Sequence, residues 1–474
     1  MTDISSPAAV MQAGADPVKY QSKTPAMRRY VFFYALSYLG IALMWGSILG
    51  ILLPLHVQQL EFSRIFSGAD AGTDLQALTT LQGAVSAGTT TPSADEQRLL
   101  GLLSEFNSAR ATSLSLVSSV GVVLSMLVQP IIGMLSDRTR SKWGRRAPWI
   151  AAGGVGGAAL VCLMPVVPSV AVMVILWSLL QLMGNLAQGP LTATVPDRVP
   201  EERIGSISGI SGLAAYLGAI VGAVVAGSLF ASIGLASYFP IGIVLALTLL
   251  AFALFARDNS SRQMVNTPLR FGAVFKSYGI ALRDTDYRWA WISKVLLYLG
   301  YGISSVFSIY MLQSYITPAL STAEAAQTAP LLQFAALPST LIAMFIAGKW
   351  SDKIGRRKPF VIAASIIMAL SFLIPFLSPT LPAMFAQTIV TGLGYGTFVV
   401  VDQALFIDVL PDSDAAGRDL GFSSLGQNLG QALGPIVAGA IVAMFAGAYG
   451  PVWPISFVLV LVSAFTILPI KKVR

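Results

Sequence analysis

Twelve apolar stretches, each ended by charge or by a Pro/Gly break, run through the chain at about 30–55, 110–135, 148–167, 170–195, 206–229, 239–256, 290–313, 330–347, 359–377, 381–407, 420–446 and 449–470. Each is close to the roughly 21 residues that a helix needs to cross a bilayer. A stretch of this kind satisfies its backbone only as a helix once water is excluded. The pattern predicts an all-α membrane protein of twelve transmembrane helices. Composition agrees, since only 11% of the 474 residues are charged, against about 25% in soluble domains. A water-soluble enzyme, a disordered chain and a disulfide scaffold are excluded. With one Cys (Cys162) and one His (His56), no intramolecular disulfide, zinc site or haem site is expected.

The basic residues set an orientation. Alternate connections and the two ends hold 26 of them, and the other connections hold three, Arg64, Arg98 and Arg110. The positive-inside rule then puts both termini in the cytoplasm, and the net charge of +8 reads as topology, not as a nucleic-acid surface. The expected layout is a cytoplasmic tail (1–29), a six-helix bundle (30–256) with an outer loop (56–109), a central cytoplasmic loop (257–289), a second six-helix bundle (290–470) and a short tail (471–474). The first stretch reads as an uncleaved span. The outer loop, rich in Gly, Thr, Ser and Asp, reads as a variable insertion, with a cap over the outer mouth as the alternative.

The two bundles resemble each other. Gly133-Met-Leu-Ser-Asp137-Arg138 leads to Gly144-Arg145-Arg146-Ala-Pro148 after helix 2, and Gly348-Lys-Trp-Ser-Asp352-Lys leads to Gly355-Arg356-Arg357-Lys-Pro359 after helix 8. A second pair follows helices 4 and 10: Asp197-Arg-Val-Pro200 with Arg203, and Asp408-Val-Leu-Pro411 with Arg418. Motifs recurring six helices apart, in one order, indicate duplicated halves. Asp137 and Asp352 are expected to accept from a helix N-terminus and to pair with Arg145 or Arg356. These residues make a candidate cytoplasmic gate, and anchoring of topology is the plainer alternative. Gly144 and Gly355 suit tight turns, and Pro148 and Pro359 suit first helical turns.

The repeated Gly-x3-Asp pattern with Gly-Arg-Arg resembles the major facilitator superfamily across nearly the whole chain. The stretch Gln129–Ile150 is similar to plant sucrose–proton symporters, as are Trp45 with Leu52–Leu60, and Asn185-Leu-Ala-Gln188-Gly-Pro190 with Asp197. The likeness extends to the glycoside–pentoside–hexuronide symporters. It implies two pseudo-symmetric six-helix halves, a pathway lined by helices 1, 4, 7 and 10, and proton-coupled uptake of a sugar or glycoside of the sucrose or maltose type. It also implies a monomer in the cell (inner) membrane, with no cofactor besides the coupled proton. Two departures stand out. Thr192 replaces an arginine of the plant relatives, and helices 1 to 6 carry no acid between their ends.

Polar side chains inside hydrocarbon are functional candidates. Helix 10 aligns Gln387, Thr391, Tyr395, Phe398 and Asp402 on one face at spacings of three and four residues. Asp402 is either a proton carrier or a structural ion pair. Helix 7 offers Tyr298 and Tyr301, with Lys294 expected to snorkel to the interface. Helix 4 offers Gln181, Asn185 and Gln188, helix 1 Tyr38 and Trp45, and helix 11 Gln427 and Asn428. Amides and hydroxyls match sugar hydroxyls, and rings match a sugar's apolar face. Each stripe is alternatively helix–helix glue. His56 reads as a solvated residue at the outer mouth or a second proton site. An exporter of drugs or metabolites by proton antiport is the competing function, and an enzyme is not expected.

Overall fold

The computed structural model describes residues 24–473 apart from 257, 259, 263–280 and 411–415. Most of the N-terminal tail and of the central loop therefore lies outside the described residues. The side chains of Pro130, Ala281 and 416–421, and so that of Arg418, lie outside them too.

The described chain is almost wholly helical, without a strand. The long helices, numbered to follow the apolar stretches, are α1 (Pro25–Ile65), α2 (Ala94–Arg138), α3 (Ala147–Leu163), α4 (Val170–Arg198), α5 (Glu201–Ile233) and α6 (Tyr238–Phe255), then α7 (Thr285–Ser305 continued by Ser308–Ser314), α8 (Thr322–Ile354), α9 (Lys358–Leu377), α10 (Leu381–Asp408), α11 (Ala416–Met444) and α12 (Val452–Phe465). Among the described residues, eight stretches are long and apolar enough to span a bilayer, Glu201–Phe255 counting as one, and α7, bent by 42°, is a ninth. The protein is a multi-pass membrane protein.

The duplication is visible in packing. In the first half α1 packs on α5 and α6, α2 on α4, and α3 on α4 and α6. The second half repeats each pairing six helices on: α7 with α11 and α12, α8 with α10, and α9 with α10 and α12. The halves meet through α2 with α11 and α5 with α8, again related by six. Caps recur as well. Ser93 and Glu96 form a capping box at the start of α2, and Ser321 and Glu324 form one at the start of α8. Ser169 and Thr380 cap α4 and α10.

The segment 56–109 differs from the expected loop. α1 continues to Ile65, a short helix covers Leu75–Ser86, and α2 already starts at Ala94. Polar residues hid these extensions from a reading based on apolar runs, whereas the capping box supplies the start signal. Phe66, Leu78, Leu103 and Phe106 form a small apolar core of their own there. In α1 the N–H of Leu53 donates to Ile48 O, an i→i+5 bond that closes a π turn over Ile48–Leu52.

The halves are tied at the end where α1 finishes and α2 begins, here the far end. Tyr310 Oη donates to Pro54 O (2.7 Å), Gln76 to Ala319 O (2.8 Å) and Ser104 to Ala446 O, while nearer mid-span Ser119 donates to Ala432 O (3.0 Å). The opposite end carries the repeated motifs. Gly205, Gly209 and Gly212 of α5 have nothing within 4 Å of a Cβ position there, whereas at Gly227, nearer the far end, a Cβ would stand 2.2 Å from Ala326 O.

Candidate functional site

Each motif folds into an ionic knot within its own half. Arg146 Nη2 lies 2.5 Å from Asp137, its Nε 3.1 Å from Asp197, and its Nη1 donates to Ser136 Oγ at 2.6 Å. In the second half Arg357 plays the same part toward Asp352 (2.6 Å), Asp408 (3.5 Å) and Ser351 Oγ (2.8 Å). The principal partner is therefore the second arginine of each pair, which makes Arg145 a secondary partner of Asp137 and corrects the expectation for Arg356. Arg145 binds Asp197 and stands 4.0 Å from Asp137, and Arg356 is exposed. Arg138, the last residue of α2, and Arg203 are half-buried. Gly144 (φ +86°) and Gly355 (φ +65°) make the left-handed turns, and Pro148 and Pro359 sit in first helical turns. At the same end the N-cap of α7, Asp284, binds Lys472 at 2.6 Å. Its partial burial works against ionisation, but the Lys472 ammonium and the Tyr287 and Asp286 N–H groups hold its carboxyl below the usual carboxylate range.

Deeper in the second half, α7 and α10 bring Lys294 Nζ to 2.8 Å from Asp402 Oδ2. Lys294 is 7% and Asp402 2% exposed, so this is a buried ion pair and Lys294 does not snorkel. A lysine nine residues into α7 is too deep to reach the interface while a carboxylate faces it. The ammonium also lies over the Phe406 ring, 4.3 Å from its centroid. Asp402 Oδ1 has no hydrogen-bond partner. The pair edges a cavity of about 320 Å³ lined by Lys294, Tyr298, Val399, Asp402, Gln403, Phe406, Ser423, Ser424 and Gln427. The volume falls in the range of small-molecule sites. Asp402 lies six residues from the end of α10, about 9 Å at 1.5 Å per residue, so the cavity is set toward the motif end.

Three residues singled out in the sequence, Tyr298, Asp402 and Gln427, thus share one cavity. Above it an aromatic layer continues the face: Tyr395 stacks on Tyr301 at 5.2 Å and meets Tyr298 edge-on at 6.2 Å. Gln403, Phe406, Ser423 and Ser424 were missed, although Gln403 and Phe406 flank Asp402 at positions one and four residues on.

The other candidates lie outside this cavity. Gln387 donates to Thr391 (2.8 Å), which bonds Ser371 of α9 (2.7 Å), so this part of the α10 stripe joins two helices. Asn185 donates to Ser125 of α2 (2.8 Å) and Ser125 to Gln181 (3.4 Å), so the α4 stripe is bonded to α2. Tyr38 bonds Thr192, the position of the plant arginine. Trp45 meets Trp177 edge-on at 5.8 Å and fills the notch left by Gly184, where a Cβ would lie 2.5 Å from the indole. Gln188 and Asn428 are half-buried. His56 corrects the expectation of a solvated mouth residue: it is 1% exposed, 5.9 Å from the Tyr238 ring, and its Nδ1 has no partner.

Comparison with known proteins agrees with this architecture. Residues 103–471 match a family profile described as MFS/sugar transport protein. An uncharacterized symporter of Synechocystis sp. is 44% identical over 55 residues, which are 12% of this chain and 10% of that one. The rice sucrose transport protein SUT1 (Oryza sativa subsp. japonica) is 49% identical over 47 residues, 10% of this chain and 8% of that one. The aligned stretches span about a tenth of these relatives. Among solved structures, the nucleoside transporter NupG (D323A mutant) superposes with a TM-score of 0.68 at 15% identity, covering 93% of this chain and 99% of that one. A bacterial homolog of the human lysosomal transporter Spinster, inward-facing and occupied, gives 0.66 at 13%, covering 96% and 98%. At such identities these likenesses show the fold alone.

Proposed function

Because the chain belongs to the MFS/sugar transport protein family, we propose that it takes up a sugar or glycoside together with a proton by alternating access in the cell (inner) membrane. The observation that carries this reading is the buried Lys294–Asp402 pair on the wall of a cavity furnished with amides, hydroxyls and one tyrosine. Protonation of Asp402 removes the carboxylate partner of Lys294. Sugar hydroxyl oxygens then offer that ammonium replacement acceptors, so proton and sugar each favour the binding of the other, and the linkage is reciprocal. When the sugar leaves, Lys294 recaptures the carboxylate and the proton departs.

Both termini belong in the cytoplasm by the distribution of basic residues. On that assignment the far-end ties close the outer side, and the cavity near the motif end is placed for release to the inside. The working unit is one chain. The ionic knots, each inside one half, keep three or four helix ends moving as one body while the halves rock.

Uptake into proteoliposomes from a panel of mono- and disaccharides, with and without an imposed pH gradient, tests the reading. We expect a sugar to accumulate when the source side is acidic, and Asp402→Asn to lose accumulation while retaining exchange of labelled for unlabelled sugar. Absence of exchange for every sugar in the panel overturns the substrate class. Accumulation by Asp402→Asn equal to wild type removes Asp402 as the carrier.

A further inference from the structure

A second cavity, of about 530 Å³, lies at the far end and is separate from the one at Asp402. Its wall combines the end of α1, the short helix Leu75–Ser86, the start of α2 and the α7–α8 turn, so both halves and the extra helical segment build it. Arg110 is 1% exposed on that wall. Its Nε donates to Tyr449 Oη (3.0 Å), its Nη1 to Gln58 Oε1 (3.2 Å) and Gln313 Oε1 (3.3 Å), and its Nη2 to Ser314 Oγ (2.6 Å). Its guanidinium lies 4.4 Å from the Tyr310 centroid, 4.9 Å from Phe106 and 5.5 Å from Tyr449.

All of those acceptors are neutral. Of the nearby acids, Glu61 is spent on Arg64 (2.7 Å) and Ser113 (2.5 Å), and Asp74, on the cavity wall, caps the short helix by accepting from the N–H groups of Gln76 (2.8 Å) and Ala77 (3.2 Å). A guanidinium carries five N–H donors, and these bonds use four. Gln313, itself 6% exposed, holds an amide nitrogen without any partner. Buried donors left unmet are costly, and here they cluster on a cavity wall that also carries Gln59, Gln76, Thr79 and the Phe62 ring. The wall therefore has surplus donors, amides and an aromatic face, a combination complementary to an oxygen-rich molecule with an apolar side.

We infer that this cavity is a second sugar site, an entry site on the far side of the closed end, at which the transported sugar supplies acceptor oxygens to Arg110 and Gln313. The inference rests on the sugar reading above. The same donors tie Arg110 to Gln313, Ser314 and Tyr449 across the halves, so a sugar seated there competes for the bonds that hold this end shut.

Equilibrium dialysis of radiolabelled sucrose and maltose against the full chain in nanodiscs tests it. The expected result is two molecules of one of these sugars per chain. Gln427→Leu, which alters the Asp402 cavity, is expected to leave one. Gln313→Glu keeps the acceptor for Arg110, neutralises its charge and removes the free amide; it is expected to leave one as well, and the double variant none. Gln76→Leu, at the rim, is expected to weaken the second site at least tenfold, and it serves if Gln313→Glu does not fold. One sugar per chain in wild type, abolished by Gln427→Leu alone, overturns the second site and leaves the transport reading intact. Two sugars retained by both Gln313→Glu and Gln76→Leu also overturn it. Binding of neither sugar by wild type overturns the sugar reading itself, and this site with it.

Discussion

At the scale of single residues, Lys294 and Asp402 define the chemistry available to the second half. Each is buried, and each is the other's counter-charge at 2.8 Å. Removing one member of such a pair strands a charge, at a cost of about 3–5 kcal/mol, whereas replacing both with neutral groups is often nearly free. Asp402→Asn is therefore expected to lower the unfolding midpoint in detergent, and Lys294→Met combined with Asp402→Asn to restore most of it. Sugar accumulation is expected to stay lost in both. A double variant no more stable than the single one refutes the pair as a coupled unit. Asp402 was legible in the sequence because an acid inside an apolar run is rare. Lys294 was misread because long side chains usually reach the interface, and no sequence signal gives the depth of a residue once helix ends are uncertain by a turn. The glutamine and asparagine stripes were visible, but not their direction. That Gln181 and Asn185 share Ser125 of α2 as a partner is seen only in the fold.

At the scale of elements, close helix crossings depend on a few glycines. Where α1 crosses α5, a Cβ on Gly222 would stand 2.2 Å from Leu43 O, and Ser47 Oγ donates to Gly222 O at 2.8 Å. The obstructing atom is backbone and cannot swing aside. Gly222→Val is expected to destabilise by about 1–3 kcal/mol through overpacking. Gly205→Ala, with nothing within 4 Å, is expected to be neutral or stabilising by about 0.5–1 kcal/mol, since it removes a flexible residue from a helix. Thermal unfolding of the purified variants checks both, and an unaltered midpoint for Gly222→Val refutes the tight crossing. The helix-joining motifs were legible because their chemistry is local: a turn glycine, a proline and alternating charges lie within sixteen residues of one another. The helical content of 56–109 was not, because its residues are held by capping and by a small core of their own, not by the apolar length that marks a span.

At the scale of the whole molecule, the pairings repeated six helices on mean that the halves are two copies of one packing scheme, joined where α2 meets α11 and α5 meets α8. Ser104 and Ala446 touch across that joint, and Ser104 O lies 2.6 Å from the Cβ position of Gly447. A Ser104→Cys/Ala446→Cys pair, made with the native Cys162 replaced, is expected to crosslink on mild oxidation and to stop net transport, with full recovery on reduction. Undiminished transport by the oxidised pair refutes a requirement for separation at this end. The duplication was readable from two short motifs. The ends at which the copies touch were not, because such contacts join residues more than two hundred positions apart, and those residues carry no common pattern.

The five-residue turn at Ile48–Leu52 has an effect beyond its own geometry. One additional residue in a helix rotates everything after it by about 100°. Leu53 to Ile65 therefore face a different quarter of the bundle from the one the first segment's spacing would assign them, and Gln58 meets Arg110 because of that offset. Counting heptads along the intact sequence from Pro25 would send Gln58 elsewhere. Deleting one residue of the turn would turn it into an ordinary α turn and leave the upper rod facing its present partners, whereas inserting one would swing it away.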